Sequence, residues 1–187
     1  MQPLPTAIVG SPFSLRRLEP SHDIATVLYD VFTKDYDNMR FWLRGEKIYS
    51  VDVVFDGIKR AYECDDMYMY YICVKDKIVG EIGFASIDKE NKCVLVDYWL
   101  APSARGQRII DRFLWSIEEL AFDVLKMKRV LLRIDAENIA SRKIAERNAY
   151  VLNEVSVPSK VWADGSVHDM CEYSKQKSEW IKENKDA

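Results

Sequence analysis

Few residues in this chain of 187 are suited to a metal site or a disulfide framework. It has four cysteines, none of them in a C-x-x-C pair, and two histidines that lie far apart. Zinc sites and disulfide-linked domains depend on closely spaced ligands or paired cysteines, so we expect neither, and we predict no metal site. Cys73, Cys93 and Cys171 occur in apolar, strand-like segments. We expect these three thiols to be buried and reduced.

The chain also lacks a basic excess and a long apolar run. Its 27 basic and 30 acidic side chains give a net charge of −3, which argues against a nucleic-acid coat protein. The apolar runs are far too short for a membrane span, and the first residues show no pattern of a secretory signal. We therefore expect a cytoplasmic location without membrane or nucleic-acid partners. The apolar share of 48% is ordinary for one globular domain of this length.

Three prolines and a glycine mark residues 1–12, where we expect a flexible, irregular arm that would suit a linker in a longer polypeptide. The domain itself is expected over 13–180, with a charged tail over 181–187. Period-two alternation predicts strands at 13–18, 67–74, 78–87, 92–100, 130–134, 150–157 and 168–174. Helical stripes predict helices starting near 22, 52, 109 and 138, and a short one near Trp180. Residues 34–50 show no regular pattern.

These patterns predict an α/β (α+β) fold with a mixed central sheet of about seven strands. The three strands between 67 and 100 follow one another through short turns, which favours an antiparallel meander. After residue 92, strands alternate with helices, and such crossover units pair in parallel.

One junction, YWLAPSARGQRII at residues 98–110, gives the strongest functional signal. An apolar strand ends at Leu100, a Pro-containing turn follows, and a loop with two arginines and one glycine leads directly into a long amphipathic helix. The first N–H groups of a helix lack partners and carry its positive dipole end, so the junction suits a phosphate. The sequence therefore predicts a phosphate-bearing cofactor, with the rest of the ligand along the neighbouring strand.

The order and spacing of several short motifs resemble the GNAT acetyltransferases, and within them the RimL-like protein N-terminal acetyltransferases. The motifs are YWLAP at 98–102, RGQRII at 105–110, RV at 129–130, NIASR at 138–142, ERNAY at 146–150, Tyr173 and SEW at 178–180. The resemblance covers nearly the whole chain. It implies the GNAT fold with helices on both sheet faces, acetyl-CoA as cofactor, and acetyl transfer to an amine.

Two positions depart from the family pattern. Arg108 stands where the phosphate loop usually has a second glycine, and Ile110 where a small residue is common. Ala149-Tyr150 replaces the usual Gly-Phe, which is a milder change. Because the helix-end amides do not depend on that glycine, we expect coenzyme binding to survive. An alternative from another class, a coenzyme A-binding module without catalysis, rests on these departures.

The resemblance also assigns roles at the coenzyme. We expect the backbone of the loop to hold the pyrophosphate and the end of the preceding strand to pair with the pantetheine amides. Asn138 would lie near the pantetheine and Ser141 near the sulfur, and both also suit capping of the helix they begin. The predicted cofactor-binding residues are Trp99, Leu100, Arg105, Gly106, Gln107, Arg108, Ile109, Ile110, Asn138 and Ser141.

Four side chains are candidates for proton transfer. The Ser141 hydroxyl is placed to protonate the leaving thiolate, and Tyr173 is a second candidate acid unless it is a core tyrosine. Asp97 and Glu81, on central strands, are candidate bases, although such carboxylates are more often paired or solvated. An acceptor amine with a depressed pKa would need no base.

Substrate recognition is expected after the first helix, at FWLR (residues 41–44) and Phe55. Trp42 and Phe55 on either side of a cleft would stack on a flat base, worth roughly 1–3 kcal/mol, unless they are ordinary packing aromatics. Arg40 or Arg44 would meet a phosphate or carboxylate. His168 is placed at the acceptor entrance by the resemblance, with a surface turn as the alternative.

A narrower resemblance is to acetyltransferases of microcin C self-immunity. It implies an antibiotic-resistance role, with a small-molecule substrate that is a non-hydrolysable aminoacyl-adenylate analogue acetylated on its α-amino group. The alternative acceptor is the N-terminus of a ribosomal protein. A monomer and a homodimer are both compatible with the sequence.

Overall fold

The computed structural model describes residues 3–10 and 12–185, without the side chains of residues 156–160 and 182–185. The strands are β1 Ala7–Gly10, β2 Phe13–Arg17, β3 Tyr68–Val74, β4 Lys77–Asp88, β5 Cys93–Leu100, β6 Arg129–Asp135, β7 Val151–Val161 and β8 Val167–Gln176. The helices are α1 His22–Lys34, α2 Tyr36–Leu43, α3 Val51–Glu63, α4 Ile109–Glu119, α5 Ile139–Arg147 and α6 Lys177–Lys185. Pro102–Ala104 forms a short 3-10 turn, and Leu120–Val124 continues α4 as a π-helical segment.

All eight strands join one mixed sheet in the order β1-β2-β3-β4-β5-β6-β8-β7. Every neighbouring pair is antiparallel except β5 and β6, which are parallel because α4 crosses over between them. The predicted fold class, antiparallel meander and first parallel crossover are therefore confirmed.

Helices cover both faces of the sheet and form two cores. On one face α4, α5 and α6 pack on the sheet through residues such as Phe113, Ala145 and Trp180. On the other, α1, α2 and α3 contribute Leu28, Met39 and similar apolar residues. Cys73, Cys93 and Cys171 are buried, as predicted, and none of them is in a disulfide in the described structure. None of the described helices is long and apolar enough to cross a membrane.

The structure corrects the sequence predictions at three places. Ala7–Gly10 is not irregular but pairs with β2 as an edge strand, which raises the strand number from seven to eight. Tyr36–Leu43 is helical, so three helices rather than two follow β2. The second crossover does not give a parallel neighbour, because β8 is inserted between β6 and β7. The helix predicted near Trp180 is α6, which extends into the expected tail. Residues 1, 2 and 11 of the expected arm, and 186–187 of the tail, lie outside the described residues.

The two parallel strands pair over only part of their length. Cys93 to Leu95 of β5 pair with Arg129 to Leu131 of β6. Beyond Leu95 the described residues show no further pairing between the two strands, while β5 continues along β4 and β6 along β8. The sheet therefore opens between β5 and β6, and the β5 backbone from Val96 to Leu100 presents an edge toward the gap.

Candidate active site

A cavity of about 420 Å³ occupies the opening between β5 and β6. One wall is the free edge of β5, from Val96 to Leu100, and the opposite wall is the end of β6 with the start of α5. Residues of α2 and the β7–β8 hairpin complete the lining. We call this space the cleft. An unpaired strand edge exposes N–H and C=O groups that a ligand with amide groups can pair with, much as a peptide adds to a sheet.

The phosphate-type corner predicted from the sequence lies at one end of the cleft. Gly106 and Arg108 have φ of 75° and 56°, the left-handed conformation that favours glycine. Arg108 is thus forced into the conformation suited to the glycine it replaces, and no side chain caps the start of α4. Ile109 and Ile110 are buried and anchor the first turn of α4 in the core. The N–H groups at this helix start suit an anion.

One of the two arginines expected to supply charge at this corner, Arg105, is already engaged. The guanidinium of Arg105 pairs with the Asp35 carboxylate between α1 and α2, and its Nε–H donates to the Leu100 carbonyl at 3.1 Å. Gln107 donates through Nε2 to the Ser103 carbonyl, 3.0 Å away. These bonds fix the loop, so the loop's backbone amides and Arg108 are its main groups for an anion.

The start of α5 faces β5 across the cleft. Asn138 caps the helix, its Oδ1 accepting from the Ser141 N–H at 3.2 Å, and both residues line the cleft. The Tyr98 hydroxyl donates to the Ser141 carbonyl at 3.4 Å. Burial raises the pKa of Tyr98 above its ordinary value, so this hydroxyl stays protonated inside the cleft. Sequence reasoning assigned no role to the Tyr98 side chain, although the residue lies within the junction at residues 98–110.

Tyr173, the second candidate acid, lies away from the cleft lining. It is buried in the core under α4 and α5, and its hydroxyl donates to Glu146 and accepts from Arg142, both at 3.2 Å. This arrangement fits the core-tyrosine alternative.

The two candidate bases, Asp97 on β5 and Glu81 on β4, lie on the face of the sheet opposite to Tyr173. Asp97 lines the cleft, and Arg44 at the end of α2 approaches its carboxylate to 3.6 Å. Glu81 on β4 pairs in register with Trp99 and is only 5% exposed. Burial raises the pKa of Glu81 to about 7, and the Trp99 indole N–H opposes part of this shift.

The predicted substrate residues divide into two groups. Phe41, Trp42 and Arg44 line the cleft, and the Trp42 ring lies 6.5 Å from that of Trp99. Arg40 lies next to this group and approaches Glu137 at 3.6 Å. Phe55 instead stacks on His22 with ring centroids 4.0 Å apart, and it is absent from the cleft lining. The structure therefore does not bring Trp42 and Phe55 together around the cleft.

His168 packs against Trp162, a residue of the cleft wall, on the side away from the cleft. Its ring stacks on Trp162 at 3.6 Å, its Nδ1 lies 2.7 Å from Asp135 Oδ2, and its Nε2 lies 2.8 Å from Ser166 Oγ. Trp162 lines the cleft and meets Phe41 edge-on at 6.0 Å. Sequence reasoning did not single out Trp162, because its contribution depends on how the β7–β8 hairpin folds back.

Two acidic residues at the end of β6 lie beside the same imidazole. Single ligand atoms of Asp135, Glu137 and His168 fall within 4.8 Å of one another. Asp135 faces His168, and Glu137 approaches Arg40, so each carboxylate has a cationic or ring-nitrogen neighbour within the chain. We assign no metal to this cluster.

Together the splayed strands, the phosphate-type corner and the cleft suit an extended, phosphate-bearing cofactor that lies beside an acceptor site. The chain belongs to the acetyltransferase (GNAT) domain family, whose model matches residues 13–151. It is a GNAT acetyltransferase that uses acetyl-CoA, as the resemblance implied.

Relatives and solved structures agree with this assignment. YdaF of Bacillus subtilis (strain 168), provisionally named a ribosomal N-acetyltransferase, is 26% identical over 180 residues, 94% of this chain and 97% of its own. RimL, a ribosomal L7/L12 α-N-protein acetyltransferase, superposes with a TM-score of 0.79 at 21% identity, over 90% of this chain and 92% of its own. The microcin C7 self-immunity acetyltransferase MccE, solved with acetyl-CoA and AMP, superposes with a TM-score of 0.78 at 20% identity. The match covers 89% of this chain and 93% of the MccE chain.

The residues present fit this cofactor. Acetyl-CoA supplies an activated acetyl group on a chain of amides and a pyrophosphate. The backbone of residues 106–110 would hold the pyrophosphate, and the free edge of β5 would pair with the amides. Asn138 and Ser141 lie on the facing wall of the same cleft.

Proposed function

We propose that this enzyme acetylates the α-amino group at the N-terminus of a polypeptide. The observation that carries the proposal is the continuity of the cleft. One lining contains the coenzyme residues Arg105 and Ser141 together with Asp97 and the aromatic groups expected to face an acceptor. The relatives named above support a protein N-terminus as that acceptor.

Acetyl transfer to an amine forms a C–N bond, breaks the C–S bond, and moves one proton off the nitrogen and one onto the sulfur. Asp97 would accept the proton from the amine, directly or through water, and its position in the lining of the cleft supports this role. On the facing wall, Ser141 and the protonated hydroxyl of Tyr98 are the candidate donors to the thiolate. Holding the two reactants together is worth roughly 7–11 kcal/mol in well-oriented cases, so few dedicated groups are needed.

A second candidate acceptor is an aminoacyl-adenylate analogue such as processed microcin C, which would make the enzyme a self-immunity determinant. The observation in its favour is that Trp42 and Trp162 both line the cleft, so flat aromatic surfaces face the acceptor region without Phe55. A stacked base would gain roughly 1–3 kcal/mol there.

The test is acetyl-CoA turnover, measured as free thiol release, with four acceptors. These are a ribosomal N-terminal peptide, the same peptide with a blocked N-terminus, aspartyl sulfamoyl adenosine, and its amine-blocked form. Release with the free peptide alone supports the proposal, and release with the free-amine adenylate alone replaces it with the second candidate. Equal release with blocked and free peptides would exclude the α-amine as acceptor.

Trp42→Ala separates the two acceptors further. Turnover of the adenylate should fall by roughly tenfold or more if its base stacks on Trp42, while binding of acetyl-CoA is retained. Equal losses in adenylate turnover and coenzyme binding would show that Trp42 supports the fold of the cleft instead.

A further inference from the structure

A second cavity, of about 370 Å³, lies under α1, α2 and α3. We call it the side pocket. It adjoins the cleft, because Trp42, Arg44 and Asp97 line both spaces. A ligand whose reacting amine lies beside Asp97 can therefore extend into the side pocket.

The walls of the side pocket are largely apolar. Leu28 and Phe32 come from α1, Val54 and Ile58 from α3, and Met69 from β3. Such walls favour a hydrocarbon group, with about 0.8 kcal/mol gained for each methylene that leaves water.

One acidic group, Glu81, lines this apolar space. Glu81 and Asp97 are diagonal neighbours on β4 and β5, since Glu81 pairs with Trp99 and Gly83 with Asp97. Diagonal neighbours lie about 7–8 Å apart, a length that an extended lysine-type side chain covers. Asp97 is approached by Arg44, whereas within the described part of the chain no Lys, Arg or His comes within ion-pair distance of Glu81.

The pocket lining includes Arg44 and Arg60, but neither forms an ion pair with the buried Glu81 carboxyl group in the described part of the chain. An isolated buried carboxylate is costly, and burial raises the pKa of Glu81 to about 7. A cation delivered into the pocket would favour the ionised form. The other titratable or charged groups around Glu81 and the pocket are Arg44, Glu46, Arg60, Tyr71 and Asp97.

We propose that the side pocket is a specificity subsite that selects acceptors whose first residue carries an apolar arm ending in a primary ammonium group, bound by Glu81. The inference rests on the proposed function in one respect, namely that the α-amino group lies beside Asp97. Lysine-type side chains have this chemistry, and norleucine has the same arm without the charge.

The experiment compares binding of lysine amide and norleucine amide by calorimetry, with coenzyme A present. Wild type should bind lysine amide about tenfold more tightly at about pH 8, because a charged hydrogen bond is worth roughly 1.5–3 kcal/mol. At about pH 6, Glu81 is mostly protonated and the preference should shrink. The α-amino group titrates in both ligands, so its effect cancels in the ratio.

Two variants and one control locate the effect. Glu81→Gln should bring the lysine-to-norleucine ratio close to one, whereas Glu63→Gln, the same change on the exposed end of α3, should keep the wild-type ratio. Gly57→Leu should weaken both amides, because Gly57 lines the pocket and a Cβ there meets only the end of Arg60, at 4.0 Å.

Equal affinity of wild type for the two amides at both pH values would overturn the subsite, whatever the variants do. Retention of the preference in Glu81→Gln would overturn the role of Glu81. A clear lysine preference in binding, together with no acetylation of any α-amine, would reject the proposed function and leave the subsite standing.

Discussion

The guanidinium of Arg105 spans from the phosphate-type loop to Asp35, the residue between α1 and α2. The loop that would hold the coenzyme is thereby tied to the helices that line the acceptor side. Because the Arg105 charge is already paired, an incoming pyrophosphate competes with Asp35 for it.

Asp35→Asn should therefore strengthen coenzyme A binding at low salt, by about threefold, since partly exposed ion pairs are worth roughly 0.2–1 kcal/mol. Calorimetric titration at low and high salt measures the effect, and the gain should shrink with salt. Asp30→Asn is the matched control, because Asp30 pairs with Lys34 on the exposed side of α1 at 2.6 Å. Weaker binding in Asp35→Asn would mean that Asp35 instead positions the loop.

Arg108 combines a useful charge with an unfavourable backbone conformation. Arg108→Gly and Arg108→Ala both remove the charge and should weaken coenzyme A binding to a similar extent. Only glycine relieves the left-handed backbone, so Arg108→Gly should be more stable than Arg108→Ala by about 1 kcal/mol. Denaturant unfolding of the two variants gives this difference. Equal stabilities would show that the loop relaxes out of its positive φ.

Ser141→Ala tests proton donation at the leaving sulfur. Alanine keeps the backbone N–H and carbonyl through which Ser141 bonds Asn138 and Tyr98, so coenzyme affinity should change by less than about twofold. Turnover should fall by roughly a hundredfold if the hydroxyl protonates the thiolate. Ser178→Ala on the exposed face of α6 controls for the substitution itself. Unchanged turnover in Ser141→Ala would transfer the role to Tyr98.

Glu81 should make folding stability depend on pH in an unusual direction for a carboxyl group. Its pKa is raised from 4.5 to about 7, so the folded state holds a proton that the unfolded state has released between these values. Stability is therefore full below the unfolded pKa and is lost as pH rises through about 7, by about 3 kcal/mol in total.

Glu81→Gln should remove this loss. The variant should gain stability relative to wild type between about pH 4 and about pH 8, measured by urea unfolding at several pH values. Parallel pH profiles of wild type and Glu81→Gln would show that Glu81 ionises as readily in the folded state as in the unfolded state.

Gly80 allows β4 to pack closely against the end of β5, the strand whose other edge borders the cleft. A Cβ at Gly80 would come within 2.4 Å of the Trp99 carbonyl oxygen, so Gly80→Ala must displace β5. We expect a loss of about 1–3 kcal/mol in stability and weaker coenzyme A binding. Gly57→Ala, in an open position on α3, should instead be stabilising by about 0.5–1 kcal/mol. Thermal melts measure both changes, and a Gly80→Ala variant as stable as wild type would contradict the prediction.

The parts predicted well from sequence are those whose signal is local. The phosphate-type corner lies within residues 98–110, so its strand, turn and helix start could be recognised together. α4 has a long apolar face, and it begins at Ile109, where its start was predicted. By contrast, α2 buries only Met39, so its sequence has no apolar stripe that would predict a helix.

The parts predicted poorly depend on packing between distant segments. Ala7–Gly10 becomes a strand only because it pairs with the edge of β2. The direction of the Phe55 side chain depends on the packing of α3 against α1, because its ring stacks on the His22 ring of α1. Trp162 reaches the cleft only through the fold-back of the β7–β8 hairpin, and no local pattern encodes that path.

The strand order β6-β8-β7 also sets a sequence of events during synthesis. β7 is made before β8, yet β8 is its sheet neighbour and separates it from β6. A nascent chain that ends near residue 161 therefore has an open edge on β6 and a β7 segment with no place in the sheet. Trp162 and His168 can take their positions beside the cleft only once β8 has emerged. Acetyl transfer accordingly depends on β8, even though the coenzyme loop is made some sixty residues earlier.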